Sequence, residues 1–529
     1  MSAPVDISVV LNIHREASFL GATLISLAAC LKEAASAGLV CELISVFDRS
    51  DSATKRVFER WLHLAESHLD DINIVVLEVS VGSLSLARNA GARVATGEYI
   101  WTADADDLTS SNSLVALYRL ASSCGQHKAA FYLEYMVLFG SKYHINKYSD
   151  GSLLSVADFC FEHPYVSRIF LLRESFQLHA YRPMDCGCGY AFEDWDLACR
   201  LKRDNYNFFV APETILFYRQ RHGSIMSVTS KTSILPPSSF FEPGWLPLQL
   251  ISDIGPGKSY ADFIACRLNH VDKDYAKEFQ QSHGMHGSLL EVCAMDPEVD
   301  YHKIVNSSSW SVLDHPGHHL GHKLAELFGL VGRQPFTDLV ITSSSHSDDP
   351  ESLARDILLS LASRNSDSRV LVIAIDHSCV DRWLDQLPQN SVVLDLFHLF
   401  PGLDSHDCDR LTVRLALSTC LNGARLHLLP SESCHRLMAD FASPLLCHFR
   451  GLYYRCHDLY RSIQGRSLFE ASVVNFLRQH LSRLAFVIFN STALLEADYV
   501  LLGLDPEVCL LLPQDGIDRL TLAFGGPCR

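Results

Sequence analysis

Three carboxylates fall within four residues at the end of an apolar run. The run Tyr99–Asp107 reads YIWTADADD, and its acids are Asp104, Asp106 and Asp107. Carboxylates this close together repel one another unless a positive charge lies among them. Mg²⁺ or Mn²⁺ suits that position, because a hard divalent cation takes carboxylate oxygens and keeps coordination places for substrate phosphates. The competing interpretation is a solvated acidic turn in which Asp107 or Thr109 caps the next helix.

A second acidic pair lies about ninety residues further along the chain. Glu193 and Asp194 follow the glycine-containing stretch Gly187–Phe192 and precede a predicted helix over Leu197–Lys202. The glycines favour a loop that approaches a ligand closely. A carboxylate there can accept the proton of a reacting hydroxyl, but acids also stabilise a helix N-terminus through the helix dipole. The residues alone leave both roles open.

Cationic side chains follow another strand-like stretch, Thr214–Phe217. The sequence continues as YRQRHGS and contains Arg219, Arg221 and His222. Two arginines here suit the binding of a diphosphate, because a guanidinium donates paired hydrogen bonds to phosphate oxygens. For His222 the alternatives are an ordinary surface histidine and a metal ligand.

Alternating strands and helices must position these groups. The predicted strands are Ile7–Leu11, Cys41–Phe47 and Ile72–Val79, and the predicted helices are Ser18–Ala37, Ala53–Ser67 and Ser85–Ala95. Such alternation indicates a largely parallel sheet, which binds ligands beyond the carboxyl ends of its strands. Asp48 and the Asp104 cluster both fall at such ends.

The order of five short stretches resembles that of the family 2 glycosyltransferases. These stretches are Ile7–Leu11, Asp48–Asp51, Ala87–Gly91, Thr96–Ile100 and Asp104–Asp107. The resemblance covers about residues 5–230. It implies a GT-A fold, a nucleotide-sugar donor, Mn²⁺ or Mg²⁺ held by the DxD-type acids, and inversion at the anomeric carbon. We expect a UDP-sugar donor and a glycan or lipid-linked glycan acceptor, in the synthesis of a cell-surface polysaccharide.

The same resemblance implies roles for individual residues. Asp194 is the implied general base, with Glu193 beside it. Asp104, Asp106 and His222 are the implied metal ligands. The implied donor-binding residues are Asp48, Arg88, Asn89, Asp104, Arg219 and Arg221.

The chain departs from the family pattern at two strand ends. Asn12 follows the first strand, where relatives often have proline, and Phe47 stands where they often have an additional acid. That acid helps to hold the nucleotide base in relatives. We therefore expect Asp48 to take over this role.

The remainder of the chain suggests a connector and a second α/β domain. The predicted domains are 1–230, a GT-A domain, 231–335, a connector of uncertain structure, and 336–529, a Rossmann-like domain. In the last domain the predicted strands are Asp338–Thr342, Arg369–Ile375, Ser391–Phe397, Arg425–Leu429 and Ala485–Phe489, with helices over Pro350–Ser363 and Leu411–Cys420. It weakly resembles the N-terminal half of a GT-B glycosyltransferase. Because it has no Gly-rich phosphate loop, we expect it to bind acceptor or to act as a scaffold.

Composition narrows the classes of partner. The formal net charge of −17 argues against a nucleic-acid partner. The 17 cysteines are scattered, as in a protein with reduced thiols, and no apolar stretch is long enough to span a bilayer. With no signal-peptide pattern at the N-terminus, we expect a cytoplasmic protein, and peripheral association with a membrane stays open.

Two other functions compete with glycosyl transfer. A nucleotidyltransferase also uses strand-end acids and Mg²⁺, but it would normally carry a Gly-rich, basic loop after the first strand, which Asn12–Glu16 is not. A non-catalytic glycan-assembly scaffold is the second alternative. The presence of both acidic sites argues against it, whereas Phe47 favours it.

Overall fold

The chain divides into two compact units. The first unit comprises Met1–Met184, Phe192–Ser230 and Leu248–Gly321, and the second comprises Asp185–Ala191, Lys231–Pro247 and His322–Arg529. This computed structural model describes residues 4–65, 72–165, 168–221, 234–255, 262–265, 267, 275–312, 317–342, 368–375, 390–455 and 468–511. The predicted boundaries 1–230, 231–335 and 336–529 stay a prediction.

A ten-stranded sheet forms the centre of the first unit. Its strands are β1 Ile7–Ile13, β2 Cys41–Asp48, β3 Asn73–Val79, β4 Tyr99–Asp104, β5 Leu108–Thr109, β6 Ala129–Gly140, β7 His144–Lys147, β8 Phe170–Leu172, β9 Asn207–Gln220 and β10 Trp310–Val312. The order along the sheet is β10-β7-β6-β8-β4-β1-β2-β3, and β9 pairs with both β5 and β6. Strands β3, β2, β1 and β4 are parallel neighbours, whereas β8 is antiparallel to β4.

Helices lie between and after these strands. Up to residue 331 they are α1 Leu20–Ser36, α2 Ser52–Ala65, α3 Leu84–Val94, α4 Ser113–Cys124, α5 Arg173–Leu178, α6 Glu193–Arg203, α7 Leu246–Ile254, α8 Tyr275–Gln281, α9 His283–Met295, α10 Tyr301–Val305 and α11 His318–Val331. Every residue of β1 and β2 is buried, as expected for central parallel strands that are covered on both faces. The predicted strands and helices between residues 7 and 95 are confirmed, with ends that agree to within about two residues.

Part of the predicted connector belongs to the core of the first unit. Phe279 on α8, Leu289 on α9 and Ile304 on α10 are buried in a cluster that also contains Tyr135 of β6 and Phe217 of β9. The sequence predicts only a connector of uncertain structure here. Its short helices lack the long amphipathic period that makes a helix easy to predict.

A seven-stranded parallel sheet forms the centre of the second unit. Its strands are β11 Phe336–Thr342, β12 Val370–Ala374, β13 Val392–Asp395, β14 Cys420–Leu428, β15 Arg450–Arg455, β16 Phe486–Phe489 and β17 Cys509–Leu511, in the order β13-β12-β11-β14-β15-β16-β17. Its later helices are α12 Leu396–Leu399, α13 Ser405–Thr419, α14 Glu432–His448, α15 Leu468–His480 and α16 Thr492–Leu502. The predicted helix Pro350–Ser363 lies outside the described residues.

The predicted strand Ser391–Phe397 extends too far at its carboxyl end. Strand β13 stops at Asp395 and does not continue to Phe397. The Asp395 side chain accepts a hydrogen bond from the backbone N–H of His398 and caps helix α12. A capping aspartate stops the strand here because it starts a helix.

Both units are α/β, so the predicted fold class, two successive Rossmann-like units, is confirmed. In the part of the chain that the structure describes, no helix is both long and apolar enough to cross a bilayer.

Candidate active site

The three clustered acids lie just beyond the carboxyl end of β4. Asp104 is the last residue of that strand, and a short turn carries Asp106 and Asp107. Helix α4 begins only at Ser113, after Asn112. The capping interpretation is therefore wrong, because neither candidate residue, Asp107 nor Thr109, is next to the start of that helix.

Arg88 joins this cluster to the second acidic pair. Its guanidinium donates a hydrogen bond of 2.8 Å to Oδ1 of Asp104 and one of 2.7 Å to Oε1 of Glu193. Helix α3 can hold Arg88 there because Gly91, one turn later, lets the helix lie against β1 and β2. A Cβ at Gly91 would come within 2.4 Å of Val10. The two acidic stretches found separately in the sequence therefore meet.

Helix α6 presents Glu193 and Asp194 at its first turn. The residue before it, Phe192, has a φ of 70°, a conformation that is uncommon outside glycine. Behind the acids, Trp195 is buried and its indole N–H donates a hydrogen bond of 2.8 Å to the carbonyl of Phe159. This anchor fixes the helix and leaves the two acids at its N-terminal end. Burial raises the pKa of Glu193, while Arg88 offsets part of that shift.

Asp194 is approached by a histidine. Its Oδ1 accepts a hydrogen bond of 2.9 Å from the backbone N–H of Trp195, and its Oδ2 lies 3.5 Å from Nδ1 of His163. Burial lowers the pKa of His163 to about 3, so this ring is neutral at physiological pH. A neutral ring at this distance leaves the negative charge of the Asp194 carboxylate in place.

Asp106 carries an ion pair with Arg221. The distance from Nη2 of Arg221 to Oδ2 of Asp106 is 3.0 Å, and Oε1 of Glu16 lies 3.9 Å from the same nitrogen. Burial raises the pKa of Asp106; Arg221 lowers it and Asp104 raises it again. Burial likewise raises the pKa of Glu16, and the charge of Asp106 adds to that shift. Sequence reasoning missed Glu16, although its position shortly after β1 was a usable signal.

Asp107 is the least compensated acid of the cluster. Its Oδ1 accepts a hydrogen bond of 3.0 Å from the backbone N–H of Arg219, but its buried Oδ2 has no hydrogen-bond partner among the described residues. Burial and the charge of Asp106 raise the pKa of Asp107 well above its ordinary value. The positive charge of Arg168 and the Arg219 N–H offset only part of this shift.

Tyr218 is a further residue of the site that was not predicted as functional. Burial raises the pKa of Tyr218, and the charges of Asp107, Asp104, Asp106 and Asp194 raise it further. The hydroxyl group therefore lies within electrostatic range of both acidic groups. Its place next to Arg219 near the end of β9 was the available sequence signal.

Comparison with protein families gives a match within the first unit. Residues 8–150 match the family described as glycosyl transferase family 2. The predicted resemblance to this family is therefore confirmed over that stretch, and the chain is a glycosyltransferase. The match includes Arg88 and all three acids of the cluster, and it confirms the predicted enzyme class. No curated protein matched the chain.

Solved structures of glycosyltransferases show distant similarity. TarS residues 1–349 from S. aureus, in complex with UDP-GlcNAc, is 14% identical over 61% of this chain and 89% of that chain, with a TM-score of 0.33. The mannosyltransferase PcManGT from Pyrobaculum calidifontis, in complex with GDP-Man and Mn²⁺, is 16% identical over 55% and 77% of the two chains, with a TM-score of 0.34. GalNAc-T7 with UDP, GalNAc and Mn²⁺ is 14% identical over 56% and 58%, with a TM-score of 0.33. Similarity this distant assigns neither a ligand nor a reaction.

The acid cluster of this glycosyltransferase fits a hard cation in its chemistry. Asp104 and Asp106 are two residues apart, and each side chain is 20% exposed. Their oxygens are of the type that Mg²⁺ and Mn²⁺ prefer. No group of three or more His, Cys, Asp or Glu side chains among the described residues is arranged to hold a metal. The predicted third ligand, His222, lies outside those residues.

Arg219, predicted to bind the donor, is held by other partners in this glycosyltransferase. Its side chain is 1% exposed and forms ion pairs with Asp296 and Glu298. Its Nε donates a hydrogen bond of 2.9 Å to the carbonyl of Asp106, and its guanidinium lies 4.6 Å from the ring centre of Phe19. A donor-binding role stays a prediction, and it would require Arg219 to leave these partners.

Asp48 organises a loop of the glycosyltransferase unit. Its carboxylate accepts hydrogen bonds from the backbone N–H groups of Val81, Gly82 and Ser83, at 2.8, 3.0 and 3.2 Å. The neighbouring Phe47 points instead toward helix α2, where it is buried. Asp48 therefore shapes the loop that precedes α3, and its contact with a nucleotide stays a prediction.

Asn89 and Arg88 enclose Tyr181. The Asn89 side chain donates a hydrogen bond of 2.7 Å to the Tyr181 carbonyl and accepts one of 3.0 Å from its N–H. The guanidinium of Arg88 lies 5.2 Å from the centre of the Tyr181 ring. Asn89 thus fixes the segment before α6, and its predicted donor contact stays untested.

Proposed function

We propose that the chain is an inverting, metal-dependent glycosyltransferase that moves a sugar from a UDP-sugar to a glycan or lipid-linked glycan acceptor. The observation that carries this proposal is the bridge from Asp104 through Arg88 to Glu193. This bridge supports a single site, because the buried guanidinium of Arg88 holds the DxD-type acids beside the Glu193-Asp194 pair. A donor carried by the first group would have its anomeric carbon near the second.

Asp194 is the proposed general base. In the reaction, its carboxylate takes the proton of the acceptor hydroxyl while that oxygen attacks the anomeric carbon on the face opposite the leaving diphosphate. One displacement inverts the configuration and needs no enzyme nucleophile. The contact between Glu193 and Arg88 supports the choice of Asp194, because Glu193 is already committed to an ion pair.

Asp104 and Asp106 are the residues that would hold Mn²⁺ or Mg²⁺, with His222 as a further proposed ligand. When bound, the cation supplies charge neutralisation for the diphosphate. Arg221 is 36% exposed and suits the same anion, since a partly exposed guanidinium can exchange one carboxylate for phosphate oxygens. Arg88, Asn89 and Asp48 shape the walls of this donor site.

The second unit is proposed to bind acceptor or to act as a scaffold, in a cytoplasmic protein of cell-surface polysaccharide synthesis. Its parallel sheet supports this role because loops beyond the carboxyl ends of such strands commonly form binding sites.

A donor panel tests the proposal. The full chain is incubated with UDP- and GDP-sugars in Mn²⁺ or in EDTA, and the released nucleotide and the product anomer are identified. We expect Mn²⁺-dependent release of UDP and an inverted anomer. Release of pyrophosphate or of a nucleoside monophosphate would indicate a nucleotidyltransferase. If no nucleotide sugar binds or turns over, the scaffold is favoured.

A further inference from the structure

The guanidinium of Arg221 lies against one of the two carboxylate oxygens of Asp106. Nη2 of Arg221 lies 3.0 Å from Oδ2 of Asp106. Two positive charges cannot share one carboxylate oxygen at this distance without strong repulsion. A cation that binds this oxygen of Asp106 must therefore displace the guanidinium.

Arg221 is held loosely enough to move. Its side chain is 36% exposed, and its Nε has no hydrogen-bond partner among the described residues. It also lines an open cavity of about 420 Å³ together with Phe19 and Lys303. Arg219, two residues earlier, provides the contrast, because it is 1% exposed and is held by Asp296 and Glu298.

Glu16 offers the displaced guanidinium a second carboxylate. Its Oε1 already lies 3.9 Å from Nη2 of Arg221, and its Oε2 accepts a hydrogen bond of 2.6 Å from the backbone N–H of His14. The ring of Phe19 lies beneath the guanidinium, with its centre 5.4 Å from Cζ. A small rotation therefore transfers Arg221 from Asp106 to Glu16 without exposing an unpaired charge.

We propose that Arg221 and the divalent cation compete for the carboxylate of Asp106, and that Glu16 receives Arg221 when the cation binds. This inference rests on the proposed function, because it names the residues that couple cation to donor. After the transfer, the guanidinium lies beside the cation, and Glu16 satisfies only some of its hydrogen-bond donors. Arg221 is then available to the diphosphate, so cation and nucleotide each strengthen the binding of the other.

Binding of Mn²⁺ to the full-length protein, without any donor, provides the first test. Free Mn²⁺ is measured by electron paramagnetic resonance for wild type, Arg221→Met and Arg15→Met. Arg15 is an exposed arginine next to Glu16, so its replacement removes the same charge without the competition. We expect Arg221→Met to bind Mn²⁺ roughly two- to fivefold more tightly, the scale of a partly exposed ion pair, and Arg15→Met to change little.

For the binding of UDP we expect Arg221→Met to have the opposite effect to the one on Mn²⁺ binding. With Mn²⁺ saturating, Arg221→Met should bind UDP roughly tenfold more weakly, because a hydrogen bond to a charged group is lost. A merely structural role for Arg221 would weaken both ligands. Unchanged or weaker Mn²⁺ binding in Arg221→Met overturns the competition.

A double-mutant cycle tests Glu16. In the wild-type background, Glu16→Gln should weaken Mn²⁺ binding, since Arg221 then stays on Asp106; in the Arg221→Met background the effect should be smaller. An equal effect in both backgrounds overturns the role of Glu16 as the alternative partner. If wild type binds neither Mn²⁺ nor UDP, the proposed function fails together with this inference. If wild type binds both and Arg221→Met shows no gain for Mn²⁺, only the competition fails.

Discussion

Each unit buries a carboxylate on or just beyond a strand of its sheet. The two carboxylates differ in how fully their oxygens are hydrogen-bonded. Asp107 of the first unit and Asp338 of the second are both 1% exposed. Asp338 accepts hydrogen bonds of 2.5 and 2.6 Å from Arg425, and its Oδ1 lies 3.0 Å from Nε2 of His427. Asp107 accepts one backbone hydrogen bond, and its Oδ2 has no partner among the described residues.

The pKa values follow these contacts. Burial alone would raise the pKa of both acids. At Asp338, hydrogen bonds from His427 and Arg425 outweigh burial and hold its pKa well below the usual range. At Asp107, burial and the charge of Asp106 act together and raise it. A satisfied carboxylate at the start of β11 stabilises the fold, whereas an undercompensated cluster at the end of β4 is suited to a positively charged ligand.

Asp106→Asn should have the largest effect, because it removes the charge that a cation would meet. We expect Mn²⁺-dependent binding of UDP to be abolished, with the fold intact by circular dichroism. Calorimetric titration of UDP in Mn²⁺ and in EDTA checks this. Unchanged metal-dependent binding of UDP would show that the acid cluster at the end of β4 is not the cation site.

The same substitution in the two buried acids sharpens the contrast. Asp338→Asn removes the carboxylate charge that pairs with Arg425 and should destabilise the second unit by ~3–5 kcal/mol. Asp107→Asn keeps an acceptor for the Arg219 N–H and removes a poorly compensated charge, so we expect a change within ~1 kcal/mol. Hydrogen exchange in β11 and in β4 reports the two opening free energies separately. Equal losses of opening free energy in the two variants would contradict the contrast between Asp338 and Asp107.

The pH dependence of the Asp338→Asn variant should have a defined sign. The lowered pKa of Asp338 means that its contribution is present above the unfolded value of ~3.9 and is lost as pH falls toward the folded value. The difference in melting temperature between wild type and Asp338→Asn should be constant from pH 7 to pH 5 and should shrink near pH 3.5. A difference that grows on acidification contradicts the pairing.

The features that could be predicted from the sequence are those that a local pattern of residues encodes. Parallel strands such as β1 leave continuous apolar runs, and the acids after β4 follow such a run directly. The order of short motifs was sufficient to indicate the glycosyltransferase family. The class of the enzyme and the α/β fold could therefore be predicted.

The partners of the site residues could not be predicted in this way. Arg88 and Glu193 are 105 residues apart in the chain, and Arg219 meets Asp296 across 77 residues. Such pairs depend on how strands and helices pack, which no local spacing records. The pairing of Glu16 with Arg221 depends on the same packing, although the place of Glu16 shortly after β1 was a signal in the sequence.

The central claim, that the joined acidic groups perform glycosyl transfer, is tested most directly by the rates of Asp194→Asn and Glu193→Gln with a donor that the wild type uses. We expect Asp194→Asn to slow transfer by roughly 10²–10⁴-fold while UDP binds with near wild-type affinity, because only general-base help is lost. Glu193→Gln should be the milder variant. Near wild-type turnover of Asp194→Asn, with Glu193→Gln inactive, would contradict the assignment of the base.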